Sequence, residues 1–515
     1  MTILWTAQEI EQATGGKATA AFEAAGVSID TRTLKKGEIY LALKGDALDG
    51  HDYVEAAFKA GASAAIVRKG YEIPLSRSAG EGRGEGESPK ESPLNDSPSP
   101  SPLRGSPPSP AERARALVHV DDTMKALEDL GIAARARSTA KIIAVTGSAG
   151  KTGTKEMLSI VFGALGKTHA SKKSFNNHWG VPLSLANMPK DTQYGIFELG
   201  MNHAGELLKL TAQVKPHIAI ITTIEPVHIE FFKNAEAIAD AKAEIFDGMG
   251  KQGIAILNLD NDHFARLKAH AEKAGLGKIY SFGEDEEAQS LLVDCSLHAD
   301  STKVTADILG ERVKYKLNIP GKHIALNSLS ALTAVKAAGG NLPIAVEALK
   351  NSEPVEGRGN RISVTIAEGQ PPITIINESY NANPASMLAA FEVFAMVEPA
   401  ADGRRIAVLG DMLELGKEGP RMHAGLANPL LKAKADLLFC CGPLMDALYQ
   451  QLPPDWHGGH TKDSQQLAAL VTAAAKPGDV FLIKGSAGSK MSYVVQALQL
   501  MTAPQNKSKE NKHAV

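Results

Sequence analysis

The stretch Ile142-Ile-Ala-Val-Thr-Gly147-Ser-Ala-Gly150-Lys151-Thr152 constrains this chain more than any other. An apolar run ends in a glycine turn, and a helix-forming segment follows at once. Glycines let backbone N–H groups close around phosphate oxygens, and the helix start adds the positive end of its dipole. A lysine at that point reaches the β- and γ-phosphates, and a threonine hydroxyl holds Mg²⁺. Val145 stands where the longer phosphate loop has its first glycine, so this is the shorter G-x-x-G-K-T form. The predicted nucleotide site is Gly147, Ser148, Ala149, Gly150, Lys151, Thr152 and Gly153.

The surrounding sequence fits a strand–loop–helix protein. Between 139 and 350, apolar runs at 141–146, 194–199 and 217–223 alternate with helical stretches at 151–166, 205–212 and 235–247. That alternation predicts a mostly parallel sheet with helices on both faces. Residues 351–502 repeat the style, with strands expected at 373–377, 405–409, 436–440 and 480–483. Residues 1–138 read as a smaller α/β domain. There Thr6-Ala-Gln-Glu9 is a capping box before a short helix that stops at Gly15-Gly16. Strands are expected at 37–43, 64–67 and 116–120, and a helix at 52–60 with Val54, Ala57 and Phe58 on one face.

One segment departs from this pattern. Residues 76–110 hold nine serines, eight prolines and five glycines, with Ala79, Leu94 and Leu103 as the only apolar side chains. Such a stretch buries too little to offset its ordering entropy and reads as a disordered insertion in a surface loop. The tail 503–515, rich in Lys and Asn, reads as frayed. Without both, the remaining chain is about three domains of ~150 residues. The expected fold class is therefore α/β in three domains: 1–138, 139–350 and 351–502.

Composition removes several function classes. Fifty-five basic against 58 acidic residues give a net charge of −3, against a general nucleic-acid binder. No apolar run approaches the ~18–20 residues of a membrane span, and the N-terminus lacks a signal-peptide pattern. Three cysteines, Cys295, Cys440 and Cys441, cannot make a disulfide framework in 515 residues, so a reducing cytoplasm is expected. Cys440-Cys441 ends an apolar run and is expected to be buried.

Four further stretches extend the phosphate loop. They are Ser174-Phe-Asn176-Asn177-His-Trp-Gly-Val-Pro-Leu-Ser, Ile196-Phe-Glu198-Leu-Gly-Met-Asn-His-Ala-Gly-Glu206, Asn377-Glu378-Ser-Tyr380-Asn381-Ala-Asn383-Pro384-Ala-Ser-Met and Ala407-Val-Leu-Gly-Asp411-Met-Leu-Glu-Leu-Gly. Together with the loop, they resemble the Mur ligases, the ATP-dependent amino-acid-adding enzymes of bacterial cell-wall synthesis. The resemblance spans nearly the whole chain except 76–110 and the tail. It implies a UDP-sugar domain, a central ATPase domain and a C-terminal Rossmann-like domain for the incoming amine. The branch implied joins D-alanyl-D-alanine to UDP-N-acetylmuramoyl-tripeptide through an acyl phosphate. The D-N-P-R signature of the sibling that adds the third residue is absent. The 377–384 stretch argues against that sibling and against a folate polyglutamylating enzyme. A phosphate-loop switch or binding module is the reading from another class; it predicts ATP hydrolysis independent of any acceptor.

The resemblance also implies roles for single residues. Thr152, Glu198, His228 and Lys242 are expected at the metal site, with ATP and Mg²⁺ (two ions) as cofactors. Lys242, in Ala241-Lys-Ala-Glu-Ile-Phe246, stands where family members often carry a carbamylated lysine. A desolvated amine has the lowered pKa that reaction with CO₂ requires. Lys151, Lys242, His228 and Asn177 are the expected catalytic group. Asn176 and Asn177 are expected beside the γ-phosphate and substrate. Asn327 is expected at adenine, while Ile324 stands where the family usually has an asparagine. Arg358 is expected on the nucleotide phosphates. Glu378 stands where the family usually has Asp beside the ribose. Tyr380, Asn381, Asn383, Lys484 and Ser486 are expected at the acceptor or nucleotide interface. Ser28, Thr31, Arg32, Gly45 and His51 are expected to hold the UDP-sugar. A monomer is expected.

Overall fold

The computed structural model describes residues 2–45, 48–73, 115–226 and 229–502. The insertion at 76–110, the tail at 503–515 and His228 lie outside the described residues. The chain divides into two compact units. Among the described residues, one holds those up to 136 together with 185–187, and the other holds those from 137 to 184 and from 188 onward. The second unit contains the two large sheets, so the middle and C-terminal regions form one body by contact.

The first unit is built on a five-stranded sheet ordered Lys17–Ala18, Ala116–Val120, Ala64–Arg68, Ile39–Leu41, Val27–Ser28. All its neighbours are parallel except the Lys17–Ala18 edge. The capping box forms as read: Thr6 accepts from the Glu9 N–H, and the Glu9 carboxylate accepts from the Thr6 N–H. Gly15, in the left-handed region, ends that helix. The expected strand at 37–43 shortens to Ile39–Leu41, and the helix at 52–60 begins as a 3₁₀ turn before Val54–Lys59. Val54 and Ala57 are fully buried.

The second unit begins with a nine-stranded sheet. From one edge its order is Thr168–Ala170, Tyr194–Glu198, Lys141–Thr146, Ile218–Ile221, Ile254–Asn258, Lys278–Gly283, Ser290–Leu297, Thr302–Ile308 and Glu311–Leu317. The first seven are parallel, as the βαβ alternation requires. The last two add as an antiparallel hairpin extension. Ile142 through Val145 are fully buried on both faces of the sheet. The chain runs from the central Lys141–Thr146 strand to one side and later returns to the other. Its carboxyl end is thus the switch point where open α/β sheets bind ligands.

The C-terminal sheet is six-stranded: Asn360–Val364, Ile373–Glu378, Val480–Lys484, Arg405–Gly410, Leu437–Cys441 and His457–Thr461. Only the first pair is antiparallel. Cys440 and Cys441 are buried, and burial raises both thiol pKa values. Helices Pro384–Ala395 and Ser492–Gln499 cover opposite faces, each with its own apolar cluster.

Candidate functional site

The phosphate-loop helix, Lys151–Gly163, starts at Gly150 in the left-handed region (φ 81°). A Cβ on Gly150 would lie 2.7 Å from Asn327 Nδ2, and one on Gly147 (φ 147°) would collide with Thr222 Oγ1. Both positions therefore exclude a side chain twice, by conformation and by space. The Thr222 hydroxyl donates to the Ala149 carbonyl at 2.5 Å. The Ser148 hydroxyl donates to the Glu225 carbonyl and accepts from the Glu225 N–H. These bonds hold the loop open-faced from the neighbouring strand.

Lys151 bends back so that Nζ donates to the Gly147 carbonyl at 2.7 Å. Its surroundings lower its pKa by desolvation, with Arg358's charge adding and Glu198's opposing. Glu198 ends the Tyr194–Glu198 strand and is fully buried. Its Oε1 accepts from Asn176 Nδ2 at 2.7 Å and from Thr152 Oγ1 at 3.2 Å, while Oε2 is buried without a hydrogen-bond partner. A buried carboxylate oxygen left open beside a threonine hydroxyl suits a small, hard cation such as Mg²⁺.

Lys242 sits on the helix Ala235–Ala243, which Asn234 caps. The sequence reading carried that helix to 247, but residues 244–248 tighten into a 3₁₀ turn. The Lys242 side chain is buried, and desolvation, with Lys151's charge, pushes its amine well below the ordinary lysine value. Two residues on, the Glu244 carboxylate accepts the Gly205 and Leu208 N–H groups at 2.6 and 3.1 Å. It thereby ties the Lys242 helix to the start of the helix after Glu198.

A cleft of about 580 Å³ joins the phosphate loop, Asn176 and Glu198 to the C-terminal sheet, and Lys242 is not among the residues that line it. Its walls include Lys151, Thr152, Asn176, Glu198, Asn327, Arg358, Glu378, Tyr380, Asn381, Asn383 and Lys484. The Arg358 guanidinium lies 4.2 Å over the Tyr380 ring, a cation–π contact. Buried Lys484 donates to Glu378 Oε2 at 3.2 Å and to the Asn381 carbonyl at 3.0 Å. Asn383 caps the Pro384–Ala395 helix while still facing the cleft.

Several expected residues have other employment. Asn177 Oδ1 accepts from the Gly180 N–H and caps the helix that starts there; it does not line the cleft. Ser486 accepts from the Leu413 N–H and donates to the Ala382 carbonyl, behind the cleft wall. In the first unit, His51 Nδ1 meets Asp49 at 2.6 Å and Nε2 accepts from the Arg68 N–H at 3.0 Å, so both ring nitrogens are taken. Arg32 is exposed and forks onto Asp30 through Nε and Nη2. The Ser28 hydroxyl donates to the Asp30 carbonyl, and Gly45 donates to the Leu48 carbonyl across the next turn. Thr31 belongs to the same turn as Asp30 and Arg32.

The sequence reading missed Glu225, Asn258 and Asn261, which line the cleft beyond the phosphate loop. Asn261 Nδ2 donates to the Ile224 carbonyl and to Thr223 Oγ1. The Ile218–Ile221 strand leads to Glu225 and the Ile254–Asn258 strand to Asn258 and Asn261 at the same carboxyl edge, so the strand-end rule that found Glu198 also applied here.

Fold and cleft define a class: a phosphate-loop nucleotide-binding protein whose site is shared by two mostly parallel sheets. Family models described as the Mur ligase middle domain, the Mur ligase glutamate ligase domain and the Mur ligase family catalytic domain match residues 145–335, 360–487 and 23–81. The chain is 31% identical over 497 residues to the UDP-N-acetylmuramoyl-tripeptide--D-alanyl-D-alanine ligase of Rickettsia prowazekii, covering 96% of this chain and 100% of that one. The ligase of the same name from Bacillus subtilis is 32% identical over 478 residues, covering 92% and 93%. Among solved structures, MurF from Acinetobacter baumannii matches with a TM-score of 0.75 at 28% identity, covering 96% and 99%. The chain belongs to the Mur ligase family.

Proposed function

We propose that this chain is an ATP-dependent ligase that joins D-alanyl-D-alanine to UDP-N-acetylmuramoyl-tripeptide, giving the UDP-linked pentapeptide precursor of peptidoglycan. Relatives of that name match it nearly end to end. The observation that carries the reading is the single cleft, which puts a phosphate loop and a lysine-bearing turn of a second sheet against one space.

The chemistry follows from the charges. The tripeptide's terminal carboxylate attacks the γ-phosphorus of ATP, giving an acyl phosphate and ADP. The free amine of D-alanyl-D-alanine then attacks the acyl carbon, and the tetrahedral intermediate expels phosphate. Lys151 and the loop N–H groups of residues 147–153 compensate charge on the transferring phosphoryl group. Arg358, held over the Tyr380 ring, orients the nucleotide phosphates. Asn327, Glu378, Asn258 and Asn261 frame the nucleoside. Thr152 and Glu198 would hold Mg²⁺, which would supply charge neutralisation on the phosphates; His228 and a carbamate on Lys242 would hold a second ion. The buried, deprotonation-prone amine of Lys242 is the form that adds CO₂. Asn176 aims Glu198 by holding Oε1, leaving Oε2 for the metal. Lys484, Asn381 and Asn383 take the dipeptide, and Ser28, Thr31, Arg32, Gly45 and His51 take the UDP-sugar. Asn177 and Ser486 act by fixing backbone around these groups. We place the enzyme in the cytoplasm as a monomer, where its ATP and nucleotide-linked substrate are supplied.

A coupled assay tests the whole reading. Phosphate should be released only when ATP, UDP-MurNAc-tripeptide and D-alanyl-D-alanine are all present. Turnover with a diamino acid in place of the dipeptide, and none with the dipeptide, would reassign the acceptor.

A further inference from the structure

The stretch at 407–416 carries part of the family resemblance, yet residues 411–416 contribute nothing to the walls of the cleft. They are instead bonded on every side. His423, fully buried on the helix Gly419–Ala424, accepts the Met412 N–H at Nε2 (2.9 Å) and donates from Nδ1 to the Gly419 carbonyl (2.6 Å). An amide donor at Nε2 fixes the ring as the Nδ1–H tautomer. One residue on, the Leu413 N–H donates to Ser486 Oγ at 2.9 Å. The Ser486 N–H and the Ser489 hydroxyl donate to the Asp411 carbonyl, each at 3.0 Å. The Asp411 carboxylate accepts the Met445 N–H at 2.8 Å.

Ser486 also donates to the Ala382 carbonyl, and Lys484, two residues earlier, donates to Asn381. Hydrogen bonds joined by the Met412–Leu413 peptide link thus run from His423 through Ser486 to the 381–383 turn. We propose that residues 411–416 are a strut that sets the 484–489 turn against the 381–383 turn at the acceptor end of the cleft, and that His423 is its positioning residue. This rests on the reading that the dipeptide binds at Lys484 and Asn381. Losing the His423 acceptor leaves a buried Met412 N–H unpaired, and the strut relaxes to recover it. The phosphate loop belongs to the other sheet and is untouched.

Phosphate release by full-length H423F and H423Q, with each substrate varied in turn, tests this. H423F should raise the KM for D-alanyl-D-alanine about tenfold, the cost of one unpaired buried donor, with the KM for ATP within about twofold. H423Q, whose Oε1 can accept the Met412 N–H, should return the dipeptide KM to within about threefold of wild type. Equal rises in both KM values, or no rise in H423F, would overturn the strut. Should H423F fail to melt cooperatively, hydrogen exchange on the wild type decides. The Met412 and Leu413 amides should slow when dipeptide joins the ADP–tripeptide complex, and unchanged exchange would overturn the proposal. Wild-type turnover that ignores D-alanyl-D-alanine would instead sink the functional reading itself.

Discussion

The two ends of the cleft are made differently. The phosphate end is backbone: two glycines, a helix start and one lysine, pressed against Thr222 and Asn327 with no room for a Cβ. The acceptor end is a set of side chains tied to one another and to nearby backbone, as Lys484 is to the Glu378 carboxylate and the Asn381 carbonyl. The first is rigid because nothing else fits. The second is positioned by a network, and each member depends on its neighbours. Damage should therefore be abrupt at one end and graded at the other.

The largest effect is expected from Lys151→Ala. It removes charge compensation at the transferring phosphoryl group, and kcat should fall by about 10³-fold or more. Near-normal turnover in the phosphate-release assay would remove the phosphate loop from the chemistry. Glu198→Gln keeps the shape but loses the anion. We expect about a 10²-fold loss in kcat together with a higher Mg²⁺ concentration for half-maximal rate. An unchanged Mg²⁺ titration would contradict the assignment of the open Oε2.

At the graded end, Tyr380→Ala takes away the ring under Arg358. The KM for ATP should rise about threefold to fivefold, the scale of an exposed cation–π contact, and Tyr380→Phe should leave it unchanged. A loss as large as that of Lys151→Ala would erase the contrast between the ends.

The smallest effect concerns stability and pH at Lys242. Burial depresses its amine pKa in the folded state, so between the folded and the unfolded pKa the unfolded chain binds more protons. Stability contributed by this group therefore rises with pH, from the folded pKa up to the unfolded value near ~10.4. Lys242→Met lacks that slope. Its stability relative to wild type should shrink as pH rises toward the unfolded lysine value, in denaturant melts without bicarbonate. A difference that does not change with pH would show that the folded amine is charged.

What was legible in the sequence follows the same division. Gly147, Gly150, Lys151 and Glu198 were readable because their chemistry is local: a strand ends, and a loop or carboxylate follows. Asn177 and Ser486 stood in matching motifs, but Asn177 is spent on the Gly180 N–H three residues on, and only the long-range partners Leu413 and Ala382 reveal that Ser486 turns away from the cleft. Glu244, though inside the 241–246 stretch, and His423 carried no signal of their own roles, since each acts by accepting a backbone N–H from another turn. The antiparallel extension of the nine-stranded sheet was missed for a different reason. Residues 302–308 alternate in burial along the strand, a period-two signal hidden by the expectation of βαβ repeats.

That extension has a consequence for how the protein behaves in a crowded solution. A nine-stranded open sheet ends in two rows of unpaired backbone groups, each a template for a foreign strand. At one end the outermost strand, Glu311–Leu317, presents Arg312, Lys314 and Lys316 to solvent, so an approaching strand meets repeated positive charge. At the other end the edge strand, Thr168–Ala170, is three residues long, too short to seed a ladder. The sheet that carries the phosphate loop is thus guarded at both margins against edge-to-edge aggregation.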